Sequence, residues 1–350
     1  MFKGSGKSVA NRLSIDMGGF HTRIFHEGEG LILDEPSVGL LDMDNQQSGS
    51  RAVTCYGNDA LERAPMLSGT RLINALQSDC QNNLGYSAKM LRYFLSKLRR
   101  NKLIGKAPIV LLAVPQEITQ QLSDDLRHAC FTAGASRVHL VDNSIATAVG
   151  AGLTIEEPTP NLLMDLGARN ARLYAFEHNE ISFTQSIPLA GDKLDETLAH
   201  GIRERYGIYV SDTQARDAKH RVGCAMTSSF SQQLRNSCQM KGLQIHENTR
   251  TNFTLTTEVA RELLQPAMRD AADTISAAFE TMPYQFRDPQ QDIALILTGG
   301  GSQLSQIDQL IMEASNKPVE IINRPLSAGA RGGAIMLERI HGKISEPELA

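Results

Sequence analysis

This sequence has no tryptophan, no Cys-x-x-C pair, and no apolar run near the ~20 residues needed to cross a bilayer. Each absence narrows the field. The five cysteines, at 55, 80, 130, 224 and 238, are scattered, which points to reduced thiols in a cytosolic chain and away from disulfide or metal frameworks. The opening residues lack the apolar core of a signal peptide. A formal net charge of −4 gives no footing for nucleic acid as a partner. What is present is ordinary for a globular protein: 350 residues, 41% hydrophobic and 21% charged, enough for two domains and an ample core.

The informative stretch is Leu162-Leu163-Met164-Asp165-Leu166-Gly167-Ala168-Arg169-Asn170-Ala171-Arg172-Leu173. An apolar run ends in Asp, a Gly-bearing turn follows, and a second strand leads away. The same design stands near the start, in Leu13-Ser14-Ile15-Asp16-Met17-Gly18-Gly19-Phe20-His21-Thr22-Arg23-Ile24. Asp16, Gly18 and Arg23 share their offsets with Asp165, Gly167 and Arg172. Either hairpin alone reads as an ordinary strand–turn–strand; the echo suggests a duplicated unit. A tight turn rich in backbone N–H groups cradles phosphate, and an Asp closing the preceding strand holds Mg²⁺ through water. Two such turns facing each other would clamp the phosphates of a nucleotide.

Elsewhere the chain alternates strands and helices. Gly6-Lys7-Ser8 imitates the end of a P-loop, but the position that requires the leading Gly is Met1, and the motif is rejected. The basic segment 1–12 reads as a frayed terminus with at most weak affinity for an anionic membrane surface. Ser87 is placed to cap a helix over 88–100, whose apolar face packs on a sheet. Ile109–Val114, followed by Pro115, reads as a buried central strand. Helices are expected over 117–133, 145–152, 191–205, 213–225, 257–281, 303–315 and 334–340, with polar residues 42–51 as a loop and only weak signals from 226 to 248. The strand Ile293–Leu297 runs into Thr298-Gly299-Gly300-Gly301, and a helix N-terminus is expected directly behind the triplet as a place for an anionic ligand. Two similarly ordered α/β halves, with these turns converging on a cleft, describe a duplicated fold with a nucleotide site.

Along nearly its whole length the sequence resembles the bacterial actin-like MreB family. The resemblance is carried by Leu13–Asp16, Asp34–Val38, Ala133–Ala135, Ala148–Leu153, Ala190-Gly191-Asp192-Lys193-Leu194-Asp195-Glu196, Leu297–Gly301 and Ala330-Arg331-Gly332-Gly333. It implies an actin/Hsp70-type ATPase fold of two lobes around a nucleotide cleft. The corresponding subdomains are IA (1–33, 73–152 and 326–350), IB (34–72), IIA (153–190 and 250–325) and IIB (191–249). It implies ATP or ADP with Mg²⁺. Asp16 and Asp165 would hold the metal through water. The nucleotide would be bound by Gly18, Gly19, Thr22, Gly167, Ala168, Arg169, Asn170, Gly191, Asp192, Arg221 and Gly299–Gly301. It further implies protofilaments of like or MreB-type subunits, a cytoplasmic place at the inner face of the membrane, and wall-synthesis membrane proteins as partners.

The departures from the family pattern bear on chemistry. The family's second turn reads Asp-Ile-Gly-Gly-Gly-Thr-Thr-Glu, where this chain has Asp165-Leu166-Gly167-Ala168-Arg169-Asn170-Ala171-Arg172. If the lost glycines require φ > 0, Ala168 and Arg169 are strained. Gly19-Phe20-His21-Thr22 replaces the family's Thr-Ala-Asn-Thr, and Arg221 stands where a Glu is expected near the nucleoside. The family's water-orienting acid falls at Asn143, with Asp142 one place off, and an Asn is no general base. Three readings follow: a filament protein with a degenerate site, an active ATPase using Asp142 or Asp165, and a non-polymerising pseudo-ATPase that regulates filaments.

Overall fold

The computed structural model describes residues 11–43, 53–76, 85–115, 117–226, 237–288, 291 and 293–340. Of the expected frayed terminus 1–12, residues 1–10 lie outside the described residues, as do 341–350, most of the 42–51 loop and the stretch 227–236, while Arg12 already opens a strand. The chain divides into two compact units, Met1–Gly152 with Ser327–Ala350, and Leu153–Leu326.

In the first unit Arg12–Met17, His21–His26 and Gly30–Pro36 form an antiparallel meander. Arg12–Met17 also pairs in parallel with Ile109–Val114, and that strand pairs in parallel with Arg137–Asp142. In the second unit Asn161–Leu166, Ala171–Glu177 and Glu180–Ile187 repeat the meander. Asn161–Leu166 pairs in parallel with Leu295–Thr298, which pairs with Val319–Ile321. The strand order is therefore the same in both five-stranded sheets. The strands that carry Asp16 and Asp165 are central in their sheets, which is why Leu13, Ile15, Leu162, Leu163 and Met164 are wholly buried.

Several elements differ from expectation. The helix Tyr86–Arg100 begins two residues early, at an N-cap Gly85 with φ 63°, and Ser87 is buried inside it. Its apolar face (Met90, Leu91, Phe94, Leu95, Leu98) lies in the core, and Lys97 pairs with Glu35 at 2.9 Å and Asp59 at 3.2 Å. No α-helix starts at the Gly triplet: Gly300–Gln303 is one 3-10 turn, and the helix Ile307–Ser315 follows behind Gln306. The weak signals before 249 include a strand, Ser237–Gln244, paired with Thr249–Thr256. The helix expected over 334–340 starts six residues earlier, as Ala328–Ile340.

That last helix explains its own glycines. It packs on the helix Asn143–Gly150 with backbones in contact. A Cβ on Gly332 would stand 1.7 Å from the Ala146 carbonyl oxygen, and one on Gly150 would stand 1.9 Å from that of Ala328. Glycine lowers helix propensity by ~1 kcal/mol, but here only glycine admits the contact, and packing overrides propensity.

Candidate functional site

The two hairpin turns are built alike. Asp16 lies opposite Arg23 across its hairpin, and Asp165 lies opposite Arg172. A Cβ on Gly18 would meet the His21 carbonyl oxygen at 2.7 Å, and one on Gly167 would meet that of Asn170 at the same 2.7 Å. Close approach, not backbone sign, keeps these two positions as glycine. The expected strain at Ala168 and Arg169 is absent, since neither has positive φ.

In both turns the carbonyl oxygens are tied back by donors from the same unit. Ser37 donates its N–H to Phe20 O at 2.9 Å and its hydroxyl to Gly18 O at 2.8 Å, and Asn74 Nδ2 donates to Gly19 O at 2.7 Å. Thr22 is fully buried against the Ser37 hydroxyl at 3.0 Å, so it braces the turn from inside. In the second unit Gly191 N–H donates to Gly167 O at 3.1 Å and Asp192 N–H to Ala168 O at 2.7 Å. The turn at 167–170 is thereby strapped to the start of the helix Gly191–Tyr206. With carbonyls held inward, a turn repels an approaching anion less. At the first turn His21 Nδ1 lies 2.5 Å from Asp34 and the rings of Phe20 and His21 are 4.9 Å apart.

The Gly triplet serves Asp165. Gly299 has φ 79°, and a Cβ there would lie 2.5 Å from Leu166 O and 2.6 Å from Asp165 Oδ1. Thr298, paired with Asp165 across the sheet, donates its hydroxyl to Asp165 Oδ1 at 3.1 Å. Gly301 crowds Leu166, while a Cβ on Gly300 would meet only the end of the Leu326 side chain, at 3.3 Å. Desolvation raises the Asp165 carboxyl above the usual carboxylate range, and the Thr298 hydrogen bond opposes it. Folded protein therefore holds the proton to higher pH than the unfolded chain, and this term falls away as pH rises from about 4 through the raised pKa. Asp165→Asn should raise the melting temperature of nucleotide-free, metal-free protein at pH 7.5 and leave it unchanged at pH 4. Equal melting differences at the two pH values would contradict the assignment.

In the first unit Asp16 and Asn143 converge on the backbone of Gly329. A Cβ there would lie 2.7 Å from Asp16 Oδ2 and 3.1 Å from Asn143 Oδ1. Asn143 Oδ1 is buried without a hydrogen-bond partner, an orphaned acceptor beside a carboxylate. Such a pair fits a hydrated cation, so the residues present suit Mg²⁺ carried on phosphate. Asp142 is differently employed: its Oδ1 accepts from Ser144 N–H at 2.8 Å and Ser144 Oγ at 2.7 Å as the cap of the helix Asn143–Gly150.

Behind the second turn lies a charge cluster that sequence reasoning did not assign. Asp195, 1% exposed, lies 2.8 Å from Arg216 Nε and 2.6 Å from Lys219 Nζ, the latter an ion pair rather than a well-directed hydrogen bond. Arg216 also reaches Asp192 at 3.0 Å, and Lys219 donates to Gly191 O at 2.7 Å. Burial raises the Asp192 carboxyl, and the cations of Arg216, Arg169 and Lys219 oppose that rise. Arg221 stands apart, half-exposed and paired with Asp217 at 2.9 Å. The sequence signal for this cluster was the Gly191–Glu196 stretch, whose second Asp pairs with residues about 20 positions on.

A model of the MreB/Mbl protein family matches residues 10–345. The cell shape-determining protein MreB of Escherichia coli strain K12 is 30% identical over 336 residues, covering 95% of this chain and 95% of that protein. The cell shape-determining protein Mbl of Bacillus subtilis strain 168 is 25% identical over 332 residues, covering 95% of this chain and 97% of Mbl. Among solved structures, MreB5 of Spiroplasma citri bound to ADP superposes with a TM-score of 0.81 at 22% identity, covering 95% of this chain and 98% of that one. The MamK double helical filament gives a TM-score of 0.70 at 17% identity, covering 94% of this chain and 99% of that one. The fold is thus the actin-like α/β fold, and this chain belongs to the MreB/Mbl protein family.

Proposed function

We propose that this chain is an actin-like cytoskeletal protein of the MreB type, which forms or joins filaments linked to cell shape and hydrolyses ATP slowly or not at all. The observation that carries the reading is Asn143. It stands beside Asp16 with its oxygen buried and unsatisfied, where a carboxylate would be needed to orient an attacking water. General-base assistance contributes ~10²–10⁴-fold, and an amide does not supply it. The neighbouring Asp142 is committed to its helix cap.

ATP or ADP is the proposed ligand. Its support is the Asp-Gly turn repeated at equivalent register in two units, together with relatives of this fold bound to ADP and to AMPPNP. When bound, Mg²⁺ supplies charge neutralisation at the phosphates; Asp16 and Asp165 are the residues that would hold it through water. The changed second turn weakens the site. Each charge-assisted hydrogen bond to phosphate is worth ~1.5–3 kcal/mol, so losing two or three lowers affinity by roughly a thousandfold. The subdomain limits given above, and contacts with MreB-type subunits, wall-synthesis proteins and the inner face of the cell membrane, belong to the same proposal.

Phosphate release and pelleting test it together. Purified protein should sediment as filaments while releasing phosphate near background, and Asn143→Glu should raise release by about tenfold or more. Rapid release from the unsubstituted protein, abolished by Asp165→Ala, would overturn the slow-hydrolysis reading. Failure to sediment with or without ATP would leave a non-polymerising regulator.

A further inference from the structure

The helix Ala328–Ile340 grips the strand Arg12–Met17 at both ends. At the helix start Gly329 lies against Asp16 and Asn143, and a turn later a Cβ on Gly333 would stand 2.2 Å from Ser14 Oγ. Beyond that contact Ala334, Leu337 and Glu338 close a small hollow whose other wall is Arg12, Ser14 and Glu27. The polar atoms there are incompletely used. Arg12 Nη1 donates to Glu27 Oε1 at 3.1 Å, and Glu27 N–H donates to Arg12 O at 3.1 Å. Glu27 Oε2, Arg12 Nε and Ser14 Oγ are buried with no hydrogen-bond partner, and Ser14 is 1% exposed. A buried acceptor left over in a hollow shared with a second carboxyl group calls for a donor. The Glu338 carboxyl becomes that donor by taking up a proton.

We infer that Glu27 and Glu338 form a pH-sensitive latch on this helix, closed by one proton held between their carboxyl groups and opened when that proton leaves to solvent. Closed, Glu338 donates to Glu27 Oε2 while Glu27 Oε1 keeps Arg12. Open, two carboxylates share one guanidinium and repel each other. The charged groups acting on Glu338 are Glu27, just past the strand His21–His26, and Arg12, on the first strand. Burial first, then Glu27, raises the Glu338 carboxyl above its ordinary value of 4.5, and Arg12 opposes the rise. The latch therefore contributes in full below the unfolded value and is lost as pH rises through the raised one. Its reach follows from the two elements it joins. Arg12 and Asp16 lie on one strand, and Gly329 and Glu338 on one helix, so the latch sets how firmly that helix seats beside Asp16. No nucleotide is needed for it to act.

The test is amide hydrogen exchange of residues 334–340 in full-length, nucleotide-free and metal-free protein at pH 4 and pH 7.5. Exchange is expressed as protection relative to the free chain, which removes its intrinsic pH dependence, and the central strand 109–114 is the reference for opening of the whole unit. In the unsubstituted chain, protection at 334–340 relative to that reference should fall by about two- to fivefold from pH 4 to pH 7.5, the size of a partly exposed charge interaction. Glu338→Gln carries a permanent donor and should keep the low-pH protection at both pH values. It should melt about 1–3 °C above the unsubstituted chain at pH 7.5 and level with it at pH 4. Glu338→Ala, which has neither donor nor charge, should be less protected than the unsubstituted chain at pH 4 and no less protected at pH 7.5. Glu27→Gln should also flatten the pH dependence, while melting lower at both pH values because Arg12 loses its carboxylate. The same loss of protection with pH in Glu338→Gln as in the unsubstituted chain would overturn the latch, and so would protection in the unsubstituted chain that does not change with pH.

Discussion

Gly332→Ala should lower the melting temperature of the first unit by roughly 5–10 °C. The substitution looks favourable locally, because Ala exceeds Gly in helix propensity by ~1 kcal/mol. It loses on packing. The new methyl would sit 1.7 Å from the Ala146 carbonyl oxygen, itself part of a helix backbone that has no rotamer to change. The two helices would have to part, and overpacking of this kind costs ~1–3 kcal/mol or more. Separation would also draw Gly329 away from Asp16 and Asn143, since Gly329 and Gly332 share one helix. Nucleotide affinity should therefore fall along with stability. Gly105→Ala is the control: the nearest atom to its Cβ is Asn11 Nδ2 at 3.3 Å, the end of a side chain. Thermal melts of the two variants check the prediction, and a Gly332→Ala protein as stable as the control would refute the backbone contact.

Asp195→Ala should destabilise the second unit by ~3–5 kcal/mol. The pair of cations it faces is the reason. Arg216 and Lys219 keep Asp192 and Gly191 O as partners, but Lys219 remains buried with no carboxylate against it. An uncompensated buried charge is worse than no charge at all, so Asp195→Ala with Lys219→Met should recover part of the loss. Urea titration of the single and double variants measures the coupling. If the double variant is no more stable than Asp195→Ala alone, the buried ion pair is not what holds the helices Gly191–Tyr206 and Asp212–Val222 together. Because Lys219 also holds Gly191 O, the single variant should loosen the strap on the 167–170 turn.

How much of this was legible beforehand depended on whether the deciding contact was local. The Asp-Gly hairpins were readable because strand, turn and Asp all fall within twelve consecutive residues, and their duplication showed in shared offsets. The central strand Ile109–Val114 announced itself by continuous apolar residues. Residues 328–333 fall outside the expected helix because three glycines in Ala-Gly-Ala-Arg-Gly-Gly lower helix propensity, and the partner that makes them helical lies about 180 positions earlier. The strand Ser237–Gln244 was missed because only Cys238 and Met240 on it are buried, too thin a stripe to stand out among Gln, Lys and Ser. At the site, Asp16, Asp165 and the Gly triplet were found by motif. Thr298, Gly329 and the Asp195 cluster were not assigned, since each acts through an element brought alongside by folding. The expected helix behind the Gly triplet failed for a related reason: those glycines are shaped by Asp165 and Leu166, not by helix capping.

The first unit is sewn shut by a helix that follows the whole second unit in the chain. Its sheet ends at Asp142, yet the helix that covers Ser14 and Asn143 comes from residues 328–340, after the whole second unit has been synthesised. On a ribosome emitting residues in order, the segment from 153 to 326 is uninterrupted, and its last strand among the described residues is out once residue 321 has emerged. The N-terminal half waits with an open seam at Gly150. This molecule should therefore finish in reverse, back half first, and a nascent chain stalled short of residue 328 should leave that seam accessible to protease or chaperone.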